Sequence, residues 1–368
     1  MVWRLCLKQS EKSFKRIVVK IGSSLFHAPH EKDREAFFAD TVGQIVSLSA
    51  QGKEIVLVSS GAIALGMQKL GLETRPKDLP LLQAAAAVGQ GILMEHYRNA
   101  FRQSNINCAQ VLLTWDDFSD RRRYLNAKNT LCTLLARHSI PIVNENDTVS
   151  TDEIKFGDND RLSALVANLV SADLLVMLSD VEGLLDRDRT LVRLVDKITP
   201  AIKALACPTS KKSCVGGMVT KIEAARIAVE SGIPCVIAHG STPGIISAVV
   251  AEPGRHGTLF VPSKQLRERE RWLAFGTRPK ARITIDEGAK KAILAGKSLL
   301  SVGVSGFEGV FETGDIVSVI GFEGIEVARG KAGISSRELQ QVKGSRSAKE
   351  VIHRDNIAVI SAHQEGNG

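Results

Sequence analysis

Between Pro141 and Asp160 the chain reads PIVNENDTVSTDEIKFGDND, which puts six carboxylates, Glu145, Asp147, Asp152, Glu153, Asp158 and Asp160, into one stretch. Asn144, Asn146 and Asn159 stand among them, and Lys155 is the only cation there. Loops that merely solvate rarely mix so many amides with their acids. The stretch therefore reads as a ligand-binding loop, against the plainer reading of a solvated acidic loop closed by an ordinary helix cap. Two lysines elsewhere sit beside small residues. Lys20 comes near the end of an apolar run and is followed by Gly22-Ser23-Ser24, while Lys221 ends Val215-Gly216-Gly217-Met218-Val219-Thr220-Lys221. Small residues allow backbone N–H groups to approach an anion, and paired glycines at a helix start leave such groups open. Each lysine alone has a bland alternative, a solvated strand end for Lys20 and an ordinary glycine-led helix for Lys221. Together with Asp160 they suit phosphoryl transfer, which asks little covalent chemistry of a protein and is mostly positioning plus charge stabilisation.

Those residues need a scaffold, and hydrophobic periodicity supplies one. Ile140–Val143 reads as a short buried strand leading into the acidic loop. After the loop, Leu162, Leu165, Val166 and Leu169 form one face of a helix. Asp158 is a natural N-cap of that helix, and Asp160 lies in its first turn, where the helix dipole favours a carboxylate. The loop thus joins the C-terminal end of a strand to a helix start, the place where open α/β sheets bind ligands. Further strands are expected at Arg16–Ile21, Ile55–Val58, Cys108–Leu113, Asp173–Leu178, Pro234–Ala238 and Gly257–Val261. Helical spacing intervenes around Phe37–Leu48, through Leu65 and Leu70, over Leu79–Phe101 and Tyr124–His138, and again from Met218 through Ile222, Ala225 and Val229. Such alternation implies a mainly parallel sheet with helices on both faces, a three-layer α/β sandwich. The loops after the first, second, fourth and fifth strands, including Ser59-Ser60-Gly61-Ala62 and Ser179-Asp180, would open on one edge.

The expected domains are a leader over 1–14, an α/β catalytic domain over 15–262, a basic linker over 263–281 and a small β-rich domain over 282–362. Lys264, Arg267, Arg269, Arg271, Arg278 and Lys280 mark the linker. Beyond it the texture turns to short glycine-punctuated runs such as Gly314–Gly321 and Ile357–Ile360, preceded by one helix over Asp286–Ala295, which suggests a small β-barrel-like module.

At 368 residues, 44% hydrophobic and 24% charged, the chain can bury a full core and fill two domains. A net charge of +8, spread along the sequence, permits an anionic ligand without requiring nucleic acid. The cysteines Cys6, Cys108, Cys132, Cys207, Cys214 and Cys235 lie far apart with no C-x-x-C pair, so they read as buried thiols of a reducing compartment. No apolar run has the length of a membrane span, and charges break the opening MVWRLCLKQSEKSFKR before a signal-peptide core could form. A cytoplasmic protein is expected. The chain contains no G-x-x-x-x-G-K-[ST] loop, no G-x-S-x-G elbow around Ser59 or Ser60, and no histidines at metal-ligand spacing.

VVKIGSS, VLVSSGAIALG, LQAAAAVGQ, NENDTVSTDEIKFGDND, LSDVEGL and GGMVTK occur in that order. In this they closely resemble the amino acid kinase family, in its glutamate 5-kinase branch. The segment from about Arg282 resembles the PUA domain. NEND followed by GDND separates this branch from the aspartate, acetylglutamate and uridylate kinases of the same fold. The resemblance implies the amino acid kinase fold and an ATP-dependent phosphotransferase whose acceptor is the side-chain carboxylate of L-glutamate. The product would be L-glutamyl 5-phosphate, and the reaction the first step of proline biosynthesis. It further implies that Lys20 and Lys221 stabilise the transferring phosphoryl group and that Asp160 orders them. Ser60, Asp147 and Asn159 match substrate-binding positions. Lys20, Ser179, Asp180, Val215, Gly216, Gly217, Met218, Val219, Thr220 and Lys221 match the ATP site. Mg2+ is expected mainly through the nucleotide phosphates, with no protein metal ligand, and the resemblance also carries proline as a feedback inhibitor and a homo-oligomer.

One departure stands out from the family loop G-T-G-G-M, because Cys214-Val215 occupy the places of glycine and threonine. A side chain at Cys214 restricts the backbone, and Val215 offers no hydroxyl. Two alternative readings are a kinase of the same fold acting on another carboxylate, and an RNA-binding protein acting through the PUA-like domain. The second is disfavoured as the main role, since acids interrupt the cations of that segment and its few aromatics form no evident stacking platform.

Overall fold

Runs of Ile, Val and Leu bounded by small or polar residues become the strands of a central sheet. The computed structural model describes residues 14–26, 31–150, 158–206, 217–262, 267–343 and 350–360. Asp152, Glu153 and Lys155 of the acidic loop and Cys214, Val215 and Gly216 of the glycine loop lie outside them, as do most of the leader and the side chain of Asp158.

The chain divides into two units, the first formed by Met1–Asp117 and Arg122–Gln265. Its strands are β1 (Arg16–Ile21), β2 (Glu54–Ser59), β3 (Cys108–Leu113), β4 (Ile140–Glu145), β5 (Leu174–Ser179), β6 (Leu194–Val195), β7 (Cys235–His239) and β8 (Thr258–Phe260). They form one sheet in the order β3-β4-β2-β1-β5-β7-β8-β6. Every neighbouring pair is parallel except β7 with β8. The helices are α1 (Glu31–Ala50), α2 (Ala62–Lys69), α3 (Leu79–Arg102), α4 (Trp115–Ser119), α5 (Arg121–Ala136), α6 (Asp158–Leu169), α7 (Pro200–Leu205), α8 (Met218–Glu230) and α9 (Ile245–Ala251).

Side chains alternate across each strand. Ile17, Val19 and Ile21 of β1, with Ile55, Leu57, Val176 and Leu178, join one buried cluster with Phe38, Tyr97 and Val249 of α1, α3 and α9. Lys20 is out of phase with that set and faces the other layer, where α6 packs over β1. This is the expected three-layer arrangement, and its parallel strands are buried on both faces, as their unbroken apolar character requires.

The junction of α2 with α3 depends on two glycines. A Cβ on Gly66 would lie 1.8 Å from the carbonyl oxygen of Ala85, and one on Gly89 would lie 1.7 Å from that of Ala62. The two backbones are in direct contact there. Asp78 caps α3 by accepting from the Leu81 N–H, with proline in the first turn, so the loop between the helices is anchored at both ends.

The second unit comprises Leu266–Gly368 and the short piece Phe118–Arg121. It contains β9 (Ala281–Ile285), β10 (Leu299–Leu300), β11 (Val304–Glu308), β12 (Ile316–Ile320), β13 (Glu326–Lys331), β14 (Glu350–Ile352) and β15 (Ile357–Val359). Five of these form a sheet in the order β11-β9-β12-β13-β15, and β10 pairs with β14. Ile283, Ile285, Phe311, Val317, Val319 and Leu339 make its core. Of the stretch read as a linker, 263–266 lie outside the described residues. After them come α10 (Glu268–Arg271) and a π-helical turn, Trp272–Gly276, because a contiguous apolar run, Leu273, Ala274 and Phe275, stands between Arg271 and Arg278 and becomes buried. Beside the expected helix, α11 (Glu287–Leu294), a second one appears, α12 (Ser336–Val342), held by a capping box between Ser335 and Glu338.

Among the described cysteines, all free, Cys235 is buried as expected. Cys108 and Cys132 are only half-buried, because β3 is an edge strand and Cys132 lies on the partly exposed α5. No helix among the described residues is long and apolar enough to cross a membrane.

Candidate active site

β1 carries Lys20 between Val58 of β2 and Met177 of β5, in the middle of the sheet and close to its C-terminal edge. A lysine there loses nearly all its hydration, and its side chain is only 6% exposed. Its compensation comes from the first turn of α6, where Asp160 is 1% exposed and places Oδ1 2.6 Å from Lys20 Nζ. Oδ2 of the same carboxylate faces α8. Thr220 Oγ1 donates to it at 2.7 Å, and Lys221 Nζ lies 3.3 Å away. Lys221 Nζ also donates to the carbonyl of Gly217 at 3.4 Å. One buried carboxylate therefore joins two cations from strands and helices remote in the chain.

Burial works against both charges in the Lys20–Asp160 pair. Burial pushes the Asp160 carboxyl up, but the charges of Lys20 and Lys221 and the hydrogen bonds from Lys20 and Thr220 outweigh it and hold the group below the ordinary carboxylate range. Burial pulls the Lys20 ammonium down, and the like charge of Lys221 adds to this, so that Asp160 only partly restores it.

A second polar group lies beside this centre. Asn159 Nδ2 donates to Ser60 Oγ at 2.9 Å and to Asn144 Oδ1 at 3.0 Å, and Asn144 Oδ1 also accepts from the Glu145 N–H at 2.9 Å. The end of β2, the end of β4 and the start of α6 are thereby tied together. Asn159 Oδ1 is buried with no hydrogen-bond partner among the described residues, which leaves an acceptor beside the cleft. In the same turn of α6, the Arg161 guanidinium stacks 3.7 Å over the Trp115 ring.

Two further features shape this edge, and the first suits an anion. Gly61, the N-cap of α2, has φ of 98°, and a Cβ there would meet the Phe26 ring at 2.6 Å, so only glycine fits. No side chain caps this helix, and Ala62, Ile63 and Ala64 of its first turn line the cleft. At the end of β5, Ser179 Oγ donates to Asp180 Oδ1 at 2.9 Å. Burial raises Asp180, but the hydrogen bond from Ser179, a backbone N–H and the Lys221 charge hold it below the usual range.

All of this opens on one cleft of about 460 Å³. Of the residues singled out from sequence, Lys20, Ser60, Asp147, Asn159, Asp160, Ser179, Asp180, Gly217, Thr220 and Lys221 line it. Met218 and Val219 are half-buried in the first turn of α8 and do not, while Val215 and Gly216 lie outside the described residues. Asn144 of the acidic loop, and Gly61 and Ala62 from the stretch expected to open on this edge, line the cleft as well, whereas Ile63 and Ala64 of α2 and Arg75, from the loop between α2 and α3, line it without having been singled out from sequence. The bridging role of Asn144 depends on a long-range contact, and no local pattern announces Arg75. Among the described residues no group of three or more His, Cys, Asp or Glu could hold a metal ion. The arrangement offers concentrated positive charge beside a buried carboxylate, open amides, and acidic and amide groups for a zwitterion.

Residues 15–239 match the model of the amino acid kinase family, and residues 281–354 match that of the PUA domain. A glutamate 5-kinase of Myxococcus xanthus is 47% identical, over 95% of this chain and 97% of its own. One from Caldanaerobacter subterraneus is 42% identical, over 96% of this chain and 100% of its own. Among solved structures, an N-acetylglutamate synthase from Neisseria gonorrhoeae, complexed with coenzyme A and N-acetyl-glutamate, aligns with a TM-score of 0.51 at 16% identity. The alignment covers 72% of this chain and 63% of that one, a likeness of fold alone.

Proposed function

The chain belongs to the amino acid kinase family, in the branch formed by the glutamate 5-kinases, and from that premise we propose the reaction its cleft performs. It transfers the γ-phosphoryl group of ATP to the side-chain carboxylate of L-glutamate, giving ADP and L-glutamyl 5-phosphate, the first step of proline biosynthesis. The enzyme is thus a phosphotransferase with a carboxyl group as acceptor. The observation that carries the reading is the pair of lysines held on one buried aspartate, Lys20 on Oδ1 and Lys221 on Oδ2, in a cleft that also contains Asp147 and Asn159.

A carboxylate oxygen of the acceptor attacks the γ-phosphorus, the new P–O bond forms, and the bond to the bridging oxygen of ADP breaks. The nucleophile is already ionised, so no general base is required. Negative charge is spread over the transferring oxygens, where Lys20 and Lys221 can meet it. Asp160 acts by holding both ammonium groups in place. Asp147 suits the substrate ammonium, and Asn159 lines the same cleft. Ser179, Asp180, Gly217 and Thr220 line the same cleft and would hold the nucleotide.

Magnesium fits as a passenger of the nucleotide. The phosphate oxygens would supply most of its ligands. When bound, the ion would neutralise phosphate charge. Proline as feedback inhibitor would compete for the subsite of the amino acid, and a homo-oligomeric state belongs to the same proposal. RNA binding by the C-terminal unit is not favoured as the main role. ATP-dependent formation of glutamyl hydroxamate in the presence of hydroxylamine tests the reading, with aspartate and N-acetylglutamate as comparison acceptors.

A further inference from the structure

We propose that Thr220 is a positioning residue of the phosphoryl-transfer step, whose hydroxyl keeps Asp160 in place when Lys221 leaves that carboxylate for the transferring group. The inference rests on the reading just given and concerns how the charged centre changes during the reaction.

Thr220 Oγ1 and Lys221 Nζ share the same two acceptors. The hydroxyl oxygen lies 2.7 Å from Asp160 Oδ2 and 2.9 Å from the carbonyl oxygen of Gly217, while the ammonium nitrogen lies 3.3 and 3.4 Å from the same atoms. A hydroxyl has a single hydrogen to give. The ionised carboxylate is both the nearer and the stronger acceptor, so that hydrogen goes to Asp160 Oδ2. Both contacts of Lys221 are longer than the usual N–H···O range of about 2.7–3.2 Å. Lys20 is held quite differently, at 2.6 Å on Oδ1. The two lysines are therefore unequal, with Lys20 fixed on the carboxylate and Lys221 loosely tethered beside it.

That inequality suits a group that has to move. To meet the transferring phosphoryl oxygens, Lys221 must turn its N–H donors away from Asp160 and Gly217. Asp160 is 1% exposed, so water cannot take the vacated place on Oδ2. Without another donor the carboxylate would follow Lys221 or draw it back, because an unpaired buried carboxylate oxygen is costly. Thr220 supplies that donor from the neighbouring residue and is itself half-buried. Its hydroxyl is also among the groups that hold the Asp160 carboxyl below the ordinary range. Thr220 lies in the first turn of α8, where backbone N–H groups have no intrahelical acceptor, so its part in holding the nucleotide falls to its backbone.

The test compares wild type with Thr220→Val, which keeps the shape and deletes the hydroxyl, and with Thr220→Ser, which keeps the hydroxyl. Steady-state kinetics are read with both substrates varied, and calorimetry gives the affinity for AMP-PNP, a non-hydrolysable ATP analogue. Thr220→Val should lower kcat by about 10- to 100-fold, the size expected when a reacting group is misplaced. Both KM values and the AMP-PNP affinity should stay within about threefold of wild type, and Thr220→Ser should stay that close in kcat as well. Thr220→Ala gives the same reading if the valine variant does not fold. An unchanged kcat on loss of the hydroxyl, or a Thr220→Ser variant as impaired as Thr220→Val, would overturn the role. So would a loss of AMP-PNP affinity as large as the loss in kcat, since the hydroxyl would then be a ligand of the nucleotide. A wild-type enzyme that binds AMP-PNP but forms no product from glutamate would instead overturn the reaction proposed above.

Discussion

Lys20 Nζ and Asp160 Oδ1 stand 2.6 Å apart in an ion pair from which solvent is almost wholly excluded. Burying two charges is costly, and such pairs often contribute little net stability. The pair is better understood as an arrangement for a third charge. With Lys221 on the other oxygen, the group carries a net positive charge towards the cleft, which a transferring phosphoryl group can neutralise.

Lys20→Ala and Lys221→Ala should therefore act mainly on kcat, because the charge they stabilise grows in the transition state. A loss of about 100-fold or more is expected for donors of this kind. Steady-state kinetics with both substrates varied checks this. An effect confined to the KM for ATP would mean that the lysines only bind the nucleotide.

Removal of Asp160 leaves two ammonium groups buried close together. Asp160→Asn keeps the shape and deletes the charge, and it should cost about 3–5 kcal/mol of stability, as breaking a buried pair does. Urea unfolding of the variant and of wild type measures the difference. Unchanged stability would mean that the lysines relax into solvent and that Asp160 is not what confines them.

The alkaline limb of kcat/KM should come from Lys20. Burial holds its pKa below the ordinary lysine value of 10.5, and the charged form, present below the pKa, is the form that stabilises the phosphoryl oxygens. Activity is then lost as pH rises through that lowered value. Asp160 is held below 3.8 and stays ionised throughout, so it should contribute no acid limb near neutrality. Arginine does not titrate in this range, so Lys20→Arg should be slower but should lose the alkaline limb. A limb that persists in that variant must belong to another group.

Gly89→Ala should weaken the seat of α2. The added methyl would start 1.7 Å from the Ala62 carbonyl oxygen, a clash with backbone that no rotamer relieves. Overpacking of this kind costs about 1–3 kcal/mol. The KM for glutamate should rise along with the fall in melting temperature, since the first turn of α2 lines the cleft. Thermal unfolding and kinetics that both match wild type would show that the helices separate freely.

Much of this was legible in the sequence for identifiable reasons. The sheet was, because its strands are buried on both faces and read as unbroken apolar runs. Lys20 and Asp160 were, because a charge stands out at the end of such a run or at the start of a helix. Gly66 and Gly89 were hidden, since a glycine within a helical pattern does not reveal what crosses it. The bridge from Asn159 to Ser60 and Asn144 joins three separate elements, and no spacing rule reaches that far. Arg75 lay in a loop with nothing local to distinguish it. The helix Ser336–Val342 was missed although Ser335 and Glu338 spell a capping box, because its two apolar positions are too few to show a period.

The most direct test of the central claim is to incubate the protein with ATP, Mg2+ and hydroxylamine, and to measure hydroxamate formed from L-glutamate, L-aspartate and N-acetylglutamate. Wild type should give glutamyl hydroxamate in step with ADP release and little product from the other two, and Asp147→Ala should restore the same product only at raised glutamate concentration. ADP release without hydroxamate, or a better yield from aspartate or N-acetylglutamate, would contradict the account.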